Sequence, residues 1–257
     1  MASYYRFFYW WAGHMGVSTY NLGYSPISDV ATAGISCTEP FQLELYRQIA
    51  FALHPVRLRG RRVLEISCGL GGGFAHLVQH YGIGFGVVLD RSINAVRWAR
   101  RRFGLHAINA DARMLPLADR SFDAIINVEA SHEYFSDRFV SEIARVLVPN
   151  GLFGMADLRY ATSDLIEAAM RYDLARHGLY LIEFLDVTRN VVEACELDAP
   201  RRESLLTKVP WPVRGLIRPW IGLNDSNNYQ QLRDRCATYF ILVAERRNDA
   251  SRVSVSG

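Results

Sequence analysis

Only one of the 29 basic residues is a lysine, Lys208, and the arginines that supply the rest are scattered rather than gathered in runs. Against 26 acidic side chains this leaves a formal charge of +3 and no basic stripe, so nucleic acid is not expected as a partner. Long apolar runs are also missing: none approaches the roughly 18 residues that a membrane span requires, and stable membrane insertion is not expected. The stretch 7–17 follows Arg6 and is apolar, but it holds Tyr9, Trp10, Trp11, Gly13 and His14 in place of a Leu/Ala run. No small-residue cleavage site follows it, so it is not read as a signal peptide. Cysteine is sparse, with four residues at 37, 68, 195 and 236, too far apart for paired metal ligands and without a disulfide-framework spacing. A reduced, cytoplasmic protein without a bound metal is the expectation. Internal repeats and low-complexity tracts are absent.

What is present is an ordinary globular composition, 50% apolar and 21% charged over 257 residues, enough chain to bury a large core. Residues 62–157 alternate short β-branched runs with helical stretches, the pattern of a parallel sheet with helices on both faces. Strands are predicted at 62–67, 84–90, 107–111, 122–128 and 152–157. Helices are predicted at 74–80, from Ser92 to about 103, and at 137–147, the last ending before Pro149-Asn-Gly151. Beyond 157 the pattern loosens into a helix at 164–177, an apolar run at 179–187, a polar helical stretch at 188–208, a Pro/Trp-rich segment and a last apolar strand at 238–244.

The chemistry concentrates at the first strand-to-helix turn, Glu65-Ile-Ser-Cys-Gly69-Leu-Gly71-Gly-Gly73, with Asp90 ending the next strand. Glycines there let a ligand approach the backbone, and an acidic residue about 20 positions on can accept two ribose hydroxyls. The turn does not match GxGxxG, and Glu65 sits badly beside a phosphate. It suits a cationic ligand, such as a sulfonium bearing an ammonium group.

Four segments together resemble the class I S-adenosylmethionine-dependent methyltransferases: Val63-Leu-Glu-Ile-Ser-Cys-Gly-Leu-Gly71, Asp90, Asn109-Ala-Asp111-Ala, and Leu115-Pro-Leu-Ala-Asp-Arg-Ser-Phe-Asp123. More narrowly, the first of these, Asn127-Val-Glu-Ala-Ser-His132 and Ala156-Asp-Leu-Arg159 are similar to the phthiotriolone and phenolphthiotriolone dimycocerosate methyltransferases of mycobacteria, which methylate a lipid hydroxyl. The resemblance implies a Rossmann-like α/β fold with a mostly parallel seven-stranded sheet. The flanking segments are read as a cap over this core: an N-terminal aromatic lid over 1–40, a cofactor-binding core over 41–160, a substrate cap with remaining sheet elements over 161–235, a final core strand over 236–248 and a tail over 249–257.

Carried onto this chain, the resemblance places Glu65, Ser67, Cys68, Gly69 and Gly71 along the methionine part of S-adenosylmethionine, with S-adenosylhomocysteine as product. Asp90 would hold the ribose and Arg91 flank the adenine. Asp111 and the Ala112 amide would meet the adenine edge, and Asn127 would lie near the transferable methyl. Tyr20, Asn21, Gly23 and Tyr24 resemble an NxGY-type segment that closes on the cofactor in related enzymes, and Tyr24 is counted among the cofactor residues.

His132 follows the fourth strand at the carboxyl edge of the sheet, where ligands bind in open α/β folds, and an imidazole there can take the proton of an attacking hydroxyl. Glu133 is a candidate to orient it. The other histidines have no comparable setting. Seven aromatics fall within positions 4–11, and this run is either a lid or a core helix. Tyr9, Trp10 and Trp11 on one side and Trp211 and Trp220 on the other are expected to line a hydrophobic acceptor site. The favoured activity is O-methylation of a small hydrophobic metabolite in natural-product biosynthesis. N- or C-methylation, or a cyclisation without methyl transfer on the same fold, are the alternatives. The sequence leaves the oligomeric state open.

Overall fold

A computed structural model describes residues 16–26, 39–218 and 222–247. The expected strands assemble into one seven-stranded sheet, built of β1 (Arg62–Ile66), β2 (Phe85–Asp90), β3 (His106–Asn109), β4 (Phe122–Val128), β5 (Leu147–Arg159), β6 (Leu179–Asp186) and β7 (Thr238–Arg246). Their order is β3-β2-β1-β4-β5-β7-β6; the first five run parallel, and β7 is antiparallel to both of its neighbours.

Because successive side chains of a strand point to opposite faces, each central strand feeds two cores. Val63, Val88 and Ile126 face one side and Leu64, Ile66, Leu89 and Ile125 the other. Helices α1 (Pro40–Ala52), α2 (Gly72–Tyr81) and α3 (Ile93–Phe103) cover the first side through Leu45, Ile49, Phe74, Leu77 and Val96. Helices α4 (Asp137–Val146) and α5 (Ser163–Ala175) cover the second through Phe139, Ile143, Ile166 and Met170. Ser92 caps α3 by accepting from the Ala95 amide, and Ser136 caps α4 by accepting from the Phe139 amide.

Two local expectations shift, and the polar helical stretch at 188–208 is found as expected. The third strand stops at Asn109, and Asp111 instead forms an isolated bridge to Met114. The helix before β5 ends at Val146, and Pro149-Asn-Gly151 lies inside β5, where the pairing register jumps between Phe122/Leu147 and Ala124/Leu152. Asn150 takes a left-handed φ of 60°, so the turn residues are absorbed as an irregularity of the strand. The polar stretch after β6 is a single helix, α6 (Thr188–Thr207), followed by α7 (Trp211–Ile217) and α8 (Asn227–Arg233). Leu206, Val209, Ile217 and Leu223 form a small third cluster with Leu70 of the glycine-rich turn, which sets this part of the chain over the carboxyl edge of β1.

The strand order reverses direction between β1 and β4, and open α/β sheets bind ligands in the crevice above such a switch point. No helix among the described residues is long and apolar enough to cross a membrane.

Candidate cofactor and acceptor site

A cavity of about 620 Å³ opens above the carboxyl ends of β1, β2 and β4. Residues 17–22 run along it as a strap, which α2, Glu39, the turn after β4 and α6 fasten. The Gly72 amide donates to the Ser18 carbonyl, Glu39 accepts from the Ser18 and Thr19 amides, and Glu129 accepts from the Leu22 amide at 2.6 Å. On the other side Arg202 of α6, itself paired with Asp198, donates to the Leu22 carbonyl at 2.7 Å. A Cβ at Gly72 would lie 2.3 Å from the Ser18 hydroxyl, so the strap's approach requires glycine there.

The turn after β1 carries Ser67 at φ 60° and Gly69 at φ 54°, left-handed positions that turn the backbone toward the cavity. Asp90 fixes this turn. One carboxyl oxygen accepts the Gly69 amide at 2.9 Å and the other the Ser92 amide at 2.7 Å. Burial pushes Asp90 up, the two amides pull it back, and the net position is about 6. The Asn127 side-chain amide donates to the Ile66 carbonyl and to the Tyr134 hydroxyl, both at 2.9 Å, and Tyr134 also contacts the Ser67 hydroxyl at 2.8 Å.

Beneath the turn Glu65 is completely buried. One oxygen accepts from the Tyr46 hydroxyl at 2.6 Å, and the other has no partner among the described residues. Burial drives its carboxyl up to about 8, against the Tyr46 hydrogen bond that lowers it. An orphaned acid beside a glycine turn asks for a donor or a cation, and Asn127 Oδ1 is a second buried acceptor without a partner. These groups, with Asp90 at the end of β2, suit a ligand that has an ammonium and two adjacent hydroxyls. S-adenosylmethionine has both.

His132 lies in the short turn after β4 and lines the same cavity. Its Nδ1 is 2.8 Å from Asp157 Oδ1, and Asp157 Oδ2 accepts the His132 amide at 2.9 Å and the Ser131 hydroxyl at 2.5 Å. Asp157 is completely buried and also pairs with Arg159 at 3.1 Å. Burial alone would raise its carboxyl, but the bond to His132 and the positive charges outweigh it and keep the pKa below the ordinary value. For His132, burial acts downward, the bond to Asp157 and its charge act upward, and the upward pull wins. An ionised carboxylate only accepts, so Nδ1 carries the proton and Nε2 is the free base of the ring.

The structure brings together Ser67, Cys68, Gly69, Asp90, Arg91, Asp111, Ala112 and His132 around the cavity. Several expectations are redirected. Asp157 of β5, not Glu133, holds His132. Gly71 does not line the cavity; it caps α2 in a left-handed conformation, and a Cβ there would press on Ala99 of α3 at 3.0 Å. Glu65 and Asn127 lie beneath the turn rather than on the cavity wall. Tyr24 lies outside the wall as well, its amide bonded to the Phe41 carbonyl and its ring packed on the core. Both oxygens of Asp111 are forked by Arg113, at 3.0 and 2.8 Å, which holds its carboxyl near 2. Trp211 is 81% exposed and not part of the cavity. Tyr9, Trp10, Trp11 and Trp220 lie outside the described residues. Sequence reasoning missed Tyr46, Glu129, Tyr134, Asp157 and the Arg202 pin, all of which act across long sequence separations.

With this geometry in place, comparison with known proteins defines the class: the chain belongs to the class I S-adenosylmethionine-dependent methyltransferases. A family profile described as a methyltransferase domain matches residues 63–151. The chain is 32% identical over 212 residues to a fatty-acid O-methyltransferase of Mycolicibacterium smegmatis, covering 77% of this chain and 72% of that one. It is 41% identical over 173 residues to the phthiotriol/phenolphthiotriol dimycocerosates methyltransferase of Mycobacterium leprae, covering 65% of this chain and 63% of that protein. The chain thus spans slightly less than two thirds of the length of the curated phthiotriol-type relatives it matches. The fold superposes on a cyclopropane synthase of Mycobacterium tuberculosis with a TM-score of 0.69 at 14% identity, over 87% of this chain and 88% of that one.

Proposed function

We propose that this protein transfers a methyl group from S-adenosylmethionine to a hydroxyl of a small, hydrophobic, lipid-like metabolite. The observation that carries the reading is the His132–Asp157 pair on the wall of the cavity that the cofactor turn also lines. The cofactor, when bound, supplies an electrophilic methyl on a positively charged sulfur. Asp90 and the Ser67–Gly69 backbone would hold it, and the buried Glu65 carboxyl would act on its ammonium from beneath the turn, next to Tyr46, which lines the cavity. His132 Nε2 takes the proton of the attacking hydroxyl and Asp157 steadies the imidazolium, while the cofactor would supply the methyl group and leave as S-adenosylhomocysteine. Leu22, Val128, Leu158 and Leu205 on the cavity wall fit an apolar acceptor and exclude water from the reacting atoms. The names of two relatives, an O-methyltransferase for fatty acids and a methyltransferase for phthiotriol lipids, support a lipid-like acceptor and an oxygen nucleophile.

The test is incubation of purified protein with methyl-labelled cofactor and a panel of hydrophobic alcohols, phenols, carboxylic acids and amines. Label in an ether product, with S-adenosylhomocysteine formed in equal amount, is expected. Label confined to amines or carbon would move the reaction to N- or C-methylation, and product without S-adenosylhomocysteine would mark a cyclase.

A further inference from the structure

Glu129 is a carboxyl in the same cavity that the proposed methyl transfer does not use. It follows β4 directly and takes a left-handed φ of 46°, a conformation that a non-glycine residue holds only when its surroundings enforce it. Three hydrogen bonds enforce it. The Glu129 amide donates to the Ala156 carbonyl at 2.8 Å, and both the Leu22 amide and the Tyr239 hydroxyl donate to Oε1 at 2.6 Å. Those last two bonds end on a single oxygen. Oε2 has no partner among the described residues, and Glu129 lines the cavity together with His132.

The wall of this cavity carries apolar groups, Leu22, Val128, Ala130, Leu158 and Leu205, beside polar ones such as Asn21, Gln42, Arg201 and Arg202. In such a setting an open carboxyl oxygen needs a donor from the ligand. The cofactor's ammonium and ribose hydroxyls already have Glu65 and Asp90. On the cavity wall His132 Nε2 and Glu129 Oε2 are two acceptors that take no hydrogen bond from the described residues, and two such acceptors suit a ligand with two donors. Resting on the O-methylation reading, we propose that the methyl acceptor is a lipid-like diol or polyol, with the reacting hydroxyl at His132 and a second, unmethylated hydroxyl donating to Glu129 Oε2. Glu129 is then a specificity residue. Through Oε1 it also holds the Leu22 amide of the strap, so the group that reads the second hydroxyl is tied to the strap along the site.

The experiment measures binding, so that it does not depend on turnover. Protein loaded with S-adenosylhomocysteine is titrated calorimetrically with long-chain diols bearing adjacent or alternate hydroxyls, with the matching hydroxy ketones, and with mono-alcohols of equal length. Burial raises the Glu129 carboxyl to about 7, so at a pH above about 8, where it is ionised, the wild-type protein should bind the better diol about 10- to 100-fold more tightly than its hydroxy ketone, the discrimination expected of a hydrogen bond to a charged group. Glu129→Gln keeps an oxygen for Leu22 and Tyr239 and presents an NH₂ to the cavity, so the order should invert in favour of the hydroxy ketone. A wild-type protein indifferent to the second hydroxyl overturns the proposal, and so does a folded Glu129→Gln variant with an unchanged preference. Should that variant fail to fold, the wild-type comparison decides alone. A diol preference without methyl transfer to any hydroxyl overturns the O-methylation reading and leaves the Glu129 assignment standing, whereas transfer to hydroxyls without any preference does the reverse.

Discussion

His132 Nδ1 stands 2.8 Å from Asp157 Oδ1, joining a cavity-lining ring to a carboxylate that has no exposure to solvent. The burial of Asp157 makes this contact strong, because a charged hydrogen bond in a poorly screened setting is not diluted by water. It also fixes which ring nitrogen is basic. Since the folded pKa of His132 is raised above 6.5, the stabilisation from the pair is complete below that value and is lost as pH rises through the folded pKa. The base that catalysis needs is populated over the same interval, so activity should rise with pH where this contribution to stability declines.

Asp157→Asn should therefore change the pH profile and not only the rate. Burial then acts on His132 without its counter-charge, so the rising limb of the kcat profile is expected to move to lower pH than in the wild type, with a lower plateau. Thermal unfolding identifies the fraction that folds, and a profile with the wild-type midpoint would separate Asp157 from the titration of His132.

Asp90→Ala should weaken cofactor binding by roughly 10- to 150-fold, the loss of one hydrogen-bonded charged group. The same change releases the Gly69 and Ser92 amides, so a fall in unfolding temperature without ligand should accompany it. Calorimetric titration showing unchanged affinity would remove the ribose assignment.

Glu65 gives a proton-linked prediction. With a folded pKa of about 8 it is mostly neutral in the free protein at about pH 7, and a cationic cofactor held over the turn above it favours the carboxylate, so cofactor binding should release close to one proton. Titrations in buffers of different ionisation enthalpy measure that number, and Glu65→Gln should bring it to about zero. Because the acid's pKa is raised on folding, the unliganded protein should also lose stability as pH rises from about 4.5 toward 8. Buffer-independent binding heats in the wild type would contradict the ammonium assignment.

What was legible in the sequence is what is local. The short β-branched runs marked the strands, the glycines after β1 marked the turn, and Ser92 marked the start of α3, because each signal lies within a few residues of its effect. Asp90 was legible through a spacing that the strand-turn-helix unit itself sets. Asp157 was not, since it meets His132 only because the parallel ladder pairs Val128 with Ala156, bringing the end of β5 beside the turn after β4. A neighbour such as Glu133 was the natural local guess. Tyr46 reaches Glu65 from a preceding helix, and Tyr239 reaches Glu129 from the last strand, contacts that no pattern in either segment announces. Gly71 was assigned to the cofactor because the motif treats its glycines alike, whereas close packing of α2 on α3 is what requires it.

The strap offers a further check. A methyl at Gly72 would meet Ser18 at 2.3 Å and push residues 17–22 off the turn, at an overpacking cost of about 1–3 kcal/mol. Gly72→Ala should accordingly lower cofactor affinity by about tenfold or more, while far-ultraviolet circular dichroism remains that of the wild type. Unaltered affinity would show that the strap does not depend on this contact.

The central claim is that His132 removes the acceptor's proton during transfer. It is tested most directly by single-turnover methyl transfer to a hydroxyl acceptor with His132→Ala, beside a calorimetric measurement of cofactor affinity on the same preparation. A rate lower by about 10²- to 10⁴-fold with nearly unchanged affinity is predicted, because a general base acts in the transition state. A fall of less than about fivefold would contradict it and leave His132 as part of the cavity wall.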